Sequence, residues 1–324
     1  MSGDKEGEDG EPRKVLGLIW ETEADRLKVD VKLNLGAKRA GLHLKENIEL
    51  SKEPENALPE AVTKRELWRV AQGQYDPLGL LSAFTVRFKI LMRNIVGEGP
   101  PKVSGWDDPV PEGVNKEFRK VITHLGDLRA ITFPRAVKPK EEVNGKPMLL
   151  IFGDGSTFAS CALAYLRWQM ADGTVQCRLL AGKTRVAPKC KITIPRMELM
   201  GALLAVRLSR KIQDALQMEL EAVRYFTDSA VVLGMVLRES AIYQEFVGTR
   251  VSEIRTKSDP ETEWFWVPGE MNIADMGTRP TVVPGDMGPG TPYQEGMPWM
   301  KEPPEMWPTR KTFAPPRQRS ARRT

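Results

Sequence analysis

The sequence predicts an α/β fold: a mixed sheet of five strands covered by helices, preceded by a β-hairpin and a helical stretch. Three observations predict it. Apolar runs of strand length recur at 148–152, 161–170, 175–186, 223–226 and 263–267. A long amphipathic pattern, opened by Thr193-Ile194-Pro195 and running to about Gln217, separates the third run from the fourth. Shorter helical patterns follow at 229–238, at 243–256 and after Asn272. The order strand, strand, strand, helix, strand, helix, helix, strand, helix matches a mixed sheet with helices packed on it.

The first half has another rhythm. Residues 1–13 read as a disordered, acidic lead. A strand-like run at 14–20 and an alternating run at 27–33, with Val29, Val31 and Leu33 on one face, predict a hairpin. The stretch 34–60 gives no clear pattern. Thr63 followed by Glu66 carries a capping-box signature and opens a helix. Asp76-Pro77-Leu78-Gly79 breaks it. A second helix over 80–95 places Leu81, Phe84, Phe88 and Leu91 at helical spacing, and a third covers 113–128. Pro100-Pro101 and Trp106-Asp107-Asp108-Pro109 mark loops. From about 281 proline and glycine are dense and periodicity vanishes, which predicts a loose tail. The divisions expected are a lead (1–13), a hairpin and helical part (14–140), the sheet-bearing part (141–282) and a basic tail (283–324).

Composition narrows the classes. The chain has 324 residues, 41% hydrophobic and 28% charged, with a net charge of +5. That balance mildly favours a polyanionic partner. The tail ends in Arg310, Lys311, Arg317, Arg319, Arg322 and Arg323 with no acid among them. These could hold phosphate or serve nuclear import, or could simply be a solvated tail. Cys161, Cys177 and Cys190 form no Cys-x-x-Cys pair, and with only His43 and His124 they offer no zinc set. A reducing compartment, cytoplasmic or nuclear, is expected rather than secretion. No apolar run reaches the roughly 18–20 residues of a membrane span.

Four carboxylates stand out by position. Asp154 follows the first strand of the sheet and Asp228 the fourth. Glu198 lies one turn into the long helix, and Asp275 opens the last one. The first and fourth strands would be parallel neighbours, so Asp154 and Asp228 would meet at their carboxyl ends, where open α/β sheets build sites. Clustered carboxylates raise one another's pKa, and hard divalent cations remove that penalty. The reading is therefore a two-ion site for Mg²⁺, with Mn²⁺ as a substitute, acting on a phosphodiester. Taken singly, an Asp after a strand reads as a turn residue or helix cap.

The order and placement of these acids resemble the ribonuclease H fold with its Asp-Glu-Asp-Asp set. More narrowly, the chain resembles BEL/Pao-type retrotransposon polyproteins, the segment known as the Pao retrotransposon peptidase family. The resemblance lies in Val15-Leu16-Gly17-Leu18-Ile19-Trp20, Asp76-Pro77-Leu78-Gly79-Leu80-Leu81, Trp106-Asp107-Asp108-Pro109 and Lys183-Thr184-Arg185-Val186-Ala187-Pro188. It lies also in Ile194-Pro195-Arg196-Met197-Glu198-Leu199 and Val267-Pro268-Gly269-Glu270-Met271-Asn272-Ile273-Ala274-Asp275. It implies that 14–140 is the end of a reverse transcriptase palm with thumb and connection, and that 141–282 is ribonuclease H. It implies an RNA·DNA hybrid as substrate, and other polyprotein domains, reverse transcriptase and integrase, as partners. Asp154 and Asp228 would bind both ions, Glu198 one and Asp275 the other. Nucleic-acid contacts would come from Ser156, Lys183, Arg185, Arg196, Ser229 and Asn272.

Departures and rivals temper that reading. Asp154-Gly155-Ser156 has Gly where the family commonly has Ala, a change expected to be tolerated beside a turn. No His follows His124, so the proton-handling histidine of cellular ribonucleases H has no counterpart. Residues 239–242 leave no room for a basic substrate handle, which shifts the expected phosphate contacts to 61–130 and the tail. A polymerase is disfavoured because the only Asp-Asp pair, Asp107-Asp108, lies in a loop. An aspartic peptidase needs Asp-Thr/Ser-Gly, and Asp154-Gly155-Ser156 has the wrong order. An integrase-like enzyme places its Glu last, not second. A catalytically silent, domesticated nucleic-acid-binding fragment stays open.

Overall fold

A computed structural model of the chain describes residues 12–33, 35, 54–96 and 103–311. The acidic lead up to residue 11, Pro100-Pro101 and the tail arginines beyond 311 lie outside these residues.

The apolar run 14–20, expected as one strand, folds back on itself. Leu16 (φ 47°) and Gly17 (φ 81°) form a tight turn between β1 (Arg13–Val15) and β2 (Leu18–Glu21). Two left-handed residues match the twist of a two-residue hairpin, and Gly17 adopts that backbone without steric cost. β2 then pairs antiparallel with β3 (Arg26–Val29), the hairpin that the alternation predicts. β4 (Phe133–Pro134) joins β3 and completes a four-stranded sheet.

Helix α1 (Lys64–Gly73) carries the expected capping box: the Glu66 carboxylate accepts from the Thr63 backbone N–H at 2.7 Å, and the Thr63 hydroxyl accepts from Glu66 N–H. In the break that follows, the Asp76 carboxylate accepts from Leu80 and Leu81 N–H and leads into α2 (Ser82–Ile95). The third helix is two, α3 (Glu112–Thr123) and α4 (Leu125–Ala130), parted at His124. Asp107 pairs with Arg65, and Asp108 accepts from Gly105 N–H, so the lone Asp-Asp pair holds a loop together.

The second half forms the expected mixed sheet. Its strands are β5 (Met148–Gly155), β6 (Ala159–Gln169), β7 (Val175–Val186), β8 (Ala222–Thr227) and β9 (Trp264–Trp266), in the order β7-β6-β5-β8-β9. β5 and β8 are parallel neighbours, while β5–β6 and β6–β7 are antiparallel. β5 is buried on both faces, which is why it reads as an unbroken apolar run. Helices α5 (Ile194–Ala215), α6 (Ala230–Leu237) and α7 (Glu245–Lys257) cover one face, over Leu149, Ile151, Ala164 and Leu166. A short α8 (Pro260–Glu263) precedes β9, and the expected last helix is a 3-10 turn, Ile273–Gly277.

The other face carries Leu150, Phe152, Leu163 and Tyr165 and packs against Phe84 and Phe88 of α2. This core crosses the expected boundary at 140/141, so the two stretches share their hydrophobic interior. The tail also packs there and is not loose as far as residue 311. Proline-initiated turns, including α9 (Pro292–Glu295), bury Met287, Tyr293, Trp299, Met300 and Trp307 on the sheet. The Tyr165 hydroxyl donates to Tyr293 O at 2.8 Å, Arg167 Nε donates to Met300 O at 2.8 Å, and Arg310 makes a backbone bridge to Trp266. Among the described residues no helix is long and apolar enough to cross a membrane.

Candidate active site

The site is built where α5 lies directly on β5. Gly153 and Gly155 flank Asp154 and face the helix. A Cβ at Gly153 would come within 2.9 Å of Gly201 O. One at Gly155 would overlap the Met197 carbonyl, and one at Gly201 would overlap the Asp154 backbone. Three missing side chains let helix and strand touch, and this brings Glu198 over the end of β5. The expectation that Gly155 is merely tolerated beside a turn is thus corrected: this chain has no room for a Cβ there.

All four predicted carboxylates line one cleft of about 390 Å³ at the carboxyl ends of β5 and β8, together with Ser156, Phe158, Ile194 and Arg279. Each is held by its own neighbour. Asp154, only 6% exposed, accepts from the Thr278 hydroxyl at 2.7 Å. Glu198 accepts from the Ser229 hydroxyl at 2.7 Å. Asp228 accepts from Asn272 Nδ2 at 3.1 Å, and its backbone carbonyl accepts from the Trp266 indole at 2.7 Å. Asp275 pairs with Arg279 at 2.8 Å. Among the described residues no three acidic, histidine or cysteine side chains stand close enough to hold a metal ion as placed. The donor chemistry nevertheless fits a hard cation: four carboxylates, oxygen ligands only, around one open space.

The electrostatics record the crowding. Burial, then the charge of Asp154, pushes Asp228 up to about 6, against a smaller lowering by Asn272. Glu198 is raised by burial first, opposed by its Ser229 hydrogen bond, with Asp154 adding to the rise. Asp275 is raised by burial and by Asp154, with Arg279 opposing. A carboxyl whose pKa is higher in the folded than in the unfolded state binds its proton more tightly when folded. Its contribution to stability is therefore greatest at low pH and falls as pH rises from about 4 to 6. With divalent ions removed, this cluster should make the melting temperature fall between pH 5 and pH 7. Asp228→Asn should flatten that slope in a thermal-melt series in EDTA, and an equal slope in both proteins would contradict the assignment.

The other predicted contacts divide. Asn272, 3% exposed, spends Nδ2 on Asp228 and Gly153 O while its Oδ1 caps the 3-10 turn at Ala274 N–H. Ser229, 6% exposed, caps α6 and holds Glu198. Ser156 lines the cleft, but its hydroxyl donates to Thr278 O and accepts from Phe158 N–H. All three spend these polar atoms on neighbours within the protein, and Ser229 and Asn272 are buried. Arg196 lies 4.9 Å from the centre of the Phe246 ring, which Arg250 also covers at 3.5 Å. Lys183 and Arg185 are exposed on β7 and do not line the cleft. Sequence reasoning missed Thr278 and Arg279, although their spacing of three and four from Asp275 in a helix-like turn was a usable signal. Trp168 of β6 and Trp264 of β9 are buried, and Trp266 of β9 is half-buried.

Residues 63–229, just over half of the chain, match a family model described as the Pao retrotransposon-like RNaseH-like domain. No curated protein matches the chain. Among solved structures, the N-terminal RNase H domain of Rv2228c from Mycobacterium tuberculosis, a fusion with maltose binding protein, is 16% identical. The match covers 41% of this chain and 91% of that one, with a TM-score of 0.30. RNase H1 from Halobacterium salinarum NRC-1 is 14% identical over 40% of this chain and 91% of that one, with a TM-score of 0.26. A foamy viral protease-reverse transcriptase in complex with double-stranded DNA is 11% identical over 79% of this chain and 37% of that one, with a TM-score of 0.42.

Proposed function

Because the chain belongs to the Pao retrotransposon-like RNaseH-like family, we propose that it is a divalent-metal-dependent endonuclease that cuts the RNA strand of RNA·DNA hybrids. The observation that carries this reading is the set of four carboxylates on one cleft at the ends of parallel neighbours β5 and β8. Asp154 and Asp228 are the residues that would hold both Mg²⁺ or Mn²⁺ ions, with Glu198 completing one and Asp275 the other. When bound, such ions would supply Lewis-acid activation of a water and offset negative charge at the phosphodiester. The chain's own part is to aim the oxygens: Thr278 fixes Asp154, Ser229 fixes Glu198 and Asn272 fixes Asp228. Arg279 offsets the charge of Asp275 at the open side of the cleft. In a larger polyprotein, the partners of this unit would be reverse transcriptase and integrase domains.

The substrate class is tested by the 2′-hydroxyl, the group that separates RNA from DNA at a site. An RNA·DNA hybrid should be cut in its RNA strand, and a DNA duplex of the same sequence should be left intact. Equal cutting of both would reject the hybrid reading. One observation favours a second reading, a fragment that binds hybrids without cutting them: each carboxylate is held by a separate partner, and no three are gathered for a metal. Retained hybrid binding with no Mg²⁺-dependent cleavage would decide for it.

A further inference from the structure

We propose that a groove between β7 and the second half of α5 binds the sugar-phosphate backbone of nucleic acid beside the cleft. The inference rests on the nuclease reading and adds to it a second, non-catalytic contact surface. The groove has a volume of about 550 Å³ and is lined by Lys183 and Arg185 from β7, Arg207, Arg210 and Lys211 from α5, and Lys257 from α7. No carboxylate lines it. Compensation from nearby is partial. Arg207 and Lys257 both pair with Glu253, at 2.6 Å each, and Arg210 Nε donates to Lys257 O at 2.6 Å. Among the described residues Lys183, Arg185 and Lys211 form no ion pair. Three free cations around a concavity, with no acid on its walls, call for an anion.

The position points to the same ligand as the cleft. Arg185 pairs with Ser160, and Ser160 pairs with Gly155, the residue after Asp154. Two strand spacings therefore separate Arg185 from Gly155, roughly 10 Å. Lys183 and Arg185 share one face of β7, while Thr184 between them is buried on the other. From that end the groove follows α5 between Leu204 and Ala215, a rise of roughly 17 Å. It thus starts beside the carboxylates and leads away from them, along the course of a strand leaving the cleft. Its floor is aliphatic, with Leu204, Leu208 and Ile212. It holds no aromatic ring on which a base could stack, so contact is to phosphate and independent of sequence. Such contacts would add to those expected from 61–130 and the tail. The cations of this groove come from β7, α5 and α7, and none comes from a handle between two helices.

The test uses the full chain with Lys183→Glu and Lys211→Glu together, and a labelled RNA·DNA hybrid of about 20 base pairs. Binding is measured without divalent metal over about 50 to 200 mM KCl. The double variant should bind about tenfold more weakly, with a log–log salt slope shallower by about two, one for each lost phosphate contact. The corresponding Lys→Gln pair should show a smaller loss in the same direction, and melting curves should be unchanged for both. Wild-type affinity and slope in the double variant would overturn the groove and leave the nuclease reading standing; the groove would then suit an acidic protein segment. A wild-type chain that neither binds nor cuts hybrids would overturn both.

Discussion

Gly201→Ala will lower stability by about 2–3 kcal/mol, the cost of overpacking a closed contact, and will remove any cleavage that the wild type shows. The reason is the contact of α5 with β5. The new Cβ would overlap the backbone carbonyl of Asp154, and backbone cannot move aside as a flexible side chain can. Helix α5 must then lift from the strand, carrying Glu198 away from Asp154. Gly234→Ala is the internal control. Gly234 is also helical, in α6, yet a Cβ there meets nothing within 4 Å. Helix propensity alone should make that change stabilising by about 0.5–1 kcal/mol. Thermal melts of the two variants decide the matter. Similar effects from both would mean that the close approach of α5 to β5 is not what seats Glu198.

Asp154→Asn should reduce cleavage by a factor on the order of 10³ or more, as losses of residues that act as a unit do, while raising the melting temperature in EDTA at neutral pH. The two effects share one cause. Burial raises Asp228, Glu198 and Asp275 first, and Asp154 is the one charge that adds to the rise of all three. Removing it relieves repulsion in the metal-free fold but takes away the carboxylate placed to bind both ions. The asparagine oxygen can still accept from Thr278, so the local hydrogen bond survives. Added Mg²⁺ should then stabilise the wild type and leave the variant nearly unmoved. Wild-type cleavage by the variant, or a lower melting temperature in EDTA, would contradict the role given to Asp154.

The legible parts of the fold were those with a strong period or a firm stop. β5 is an apolar run that carries Asp154 next to its end, β8 is a short, largely apolar run followed by Asp228, and α5 begins where Thr193-Ile194-Pro195 announces it. Those three elements position three of the four carboxylates, so most of the candidate site could be read without coordinates. The failures have physical causes. The run 14–20 looks like one strand because turn residues Leu16 and Gly17 interrupt no apolar pattern. The tail looks loose because its buried Tyr293, Trp299 and Trp307 sit in short turns opened by proline, which have no period to detect. The basic groove was invisible because its cations come from 183–185, 207–211 and 257, which only the packing of α5, α7 and β7 brings together. The glycines were visible as letters, but their purpose appears only when strand and helix are seen in contact.

The most direct test is to incubate the full chain with an RNA·DNA hybrid labelled on the RNA strand, once with Mg²⁺ and once with EDTA. Four carboxylates around one cleft predict cutting of the RNA strand with Mg²⁺ and none with EDTA, and they predict the loss of that cutting in Asp228→Asn. Cutting in EDTA, cutting by Asp228→Asn at the wild-type rate, or an intact hybrid in Mg²⁺ despite measurable binding would contradict the assignment of these carboxylates to metal-dependent hydrolysis.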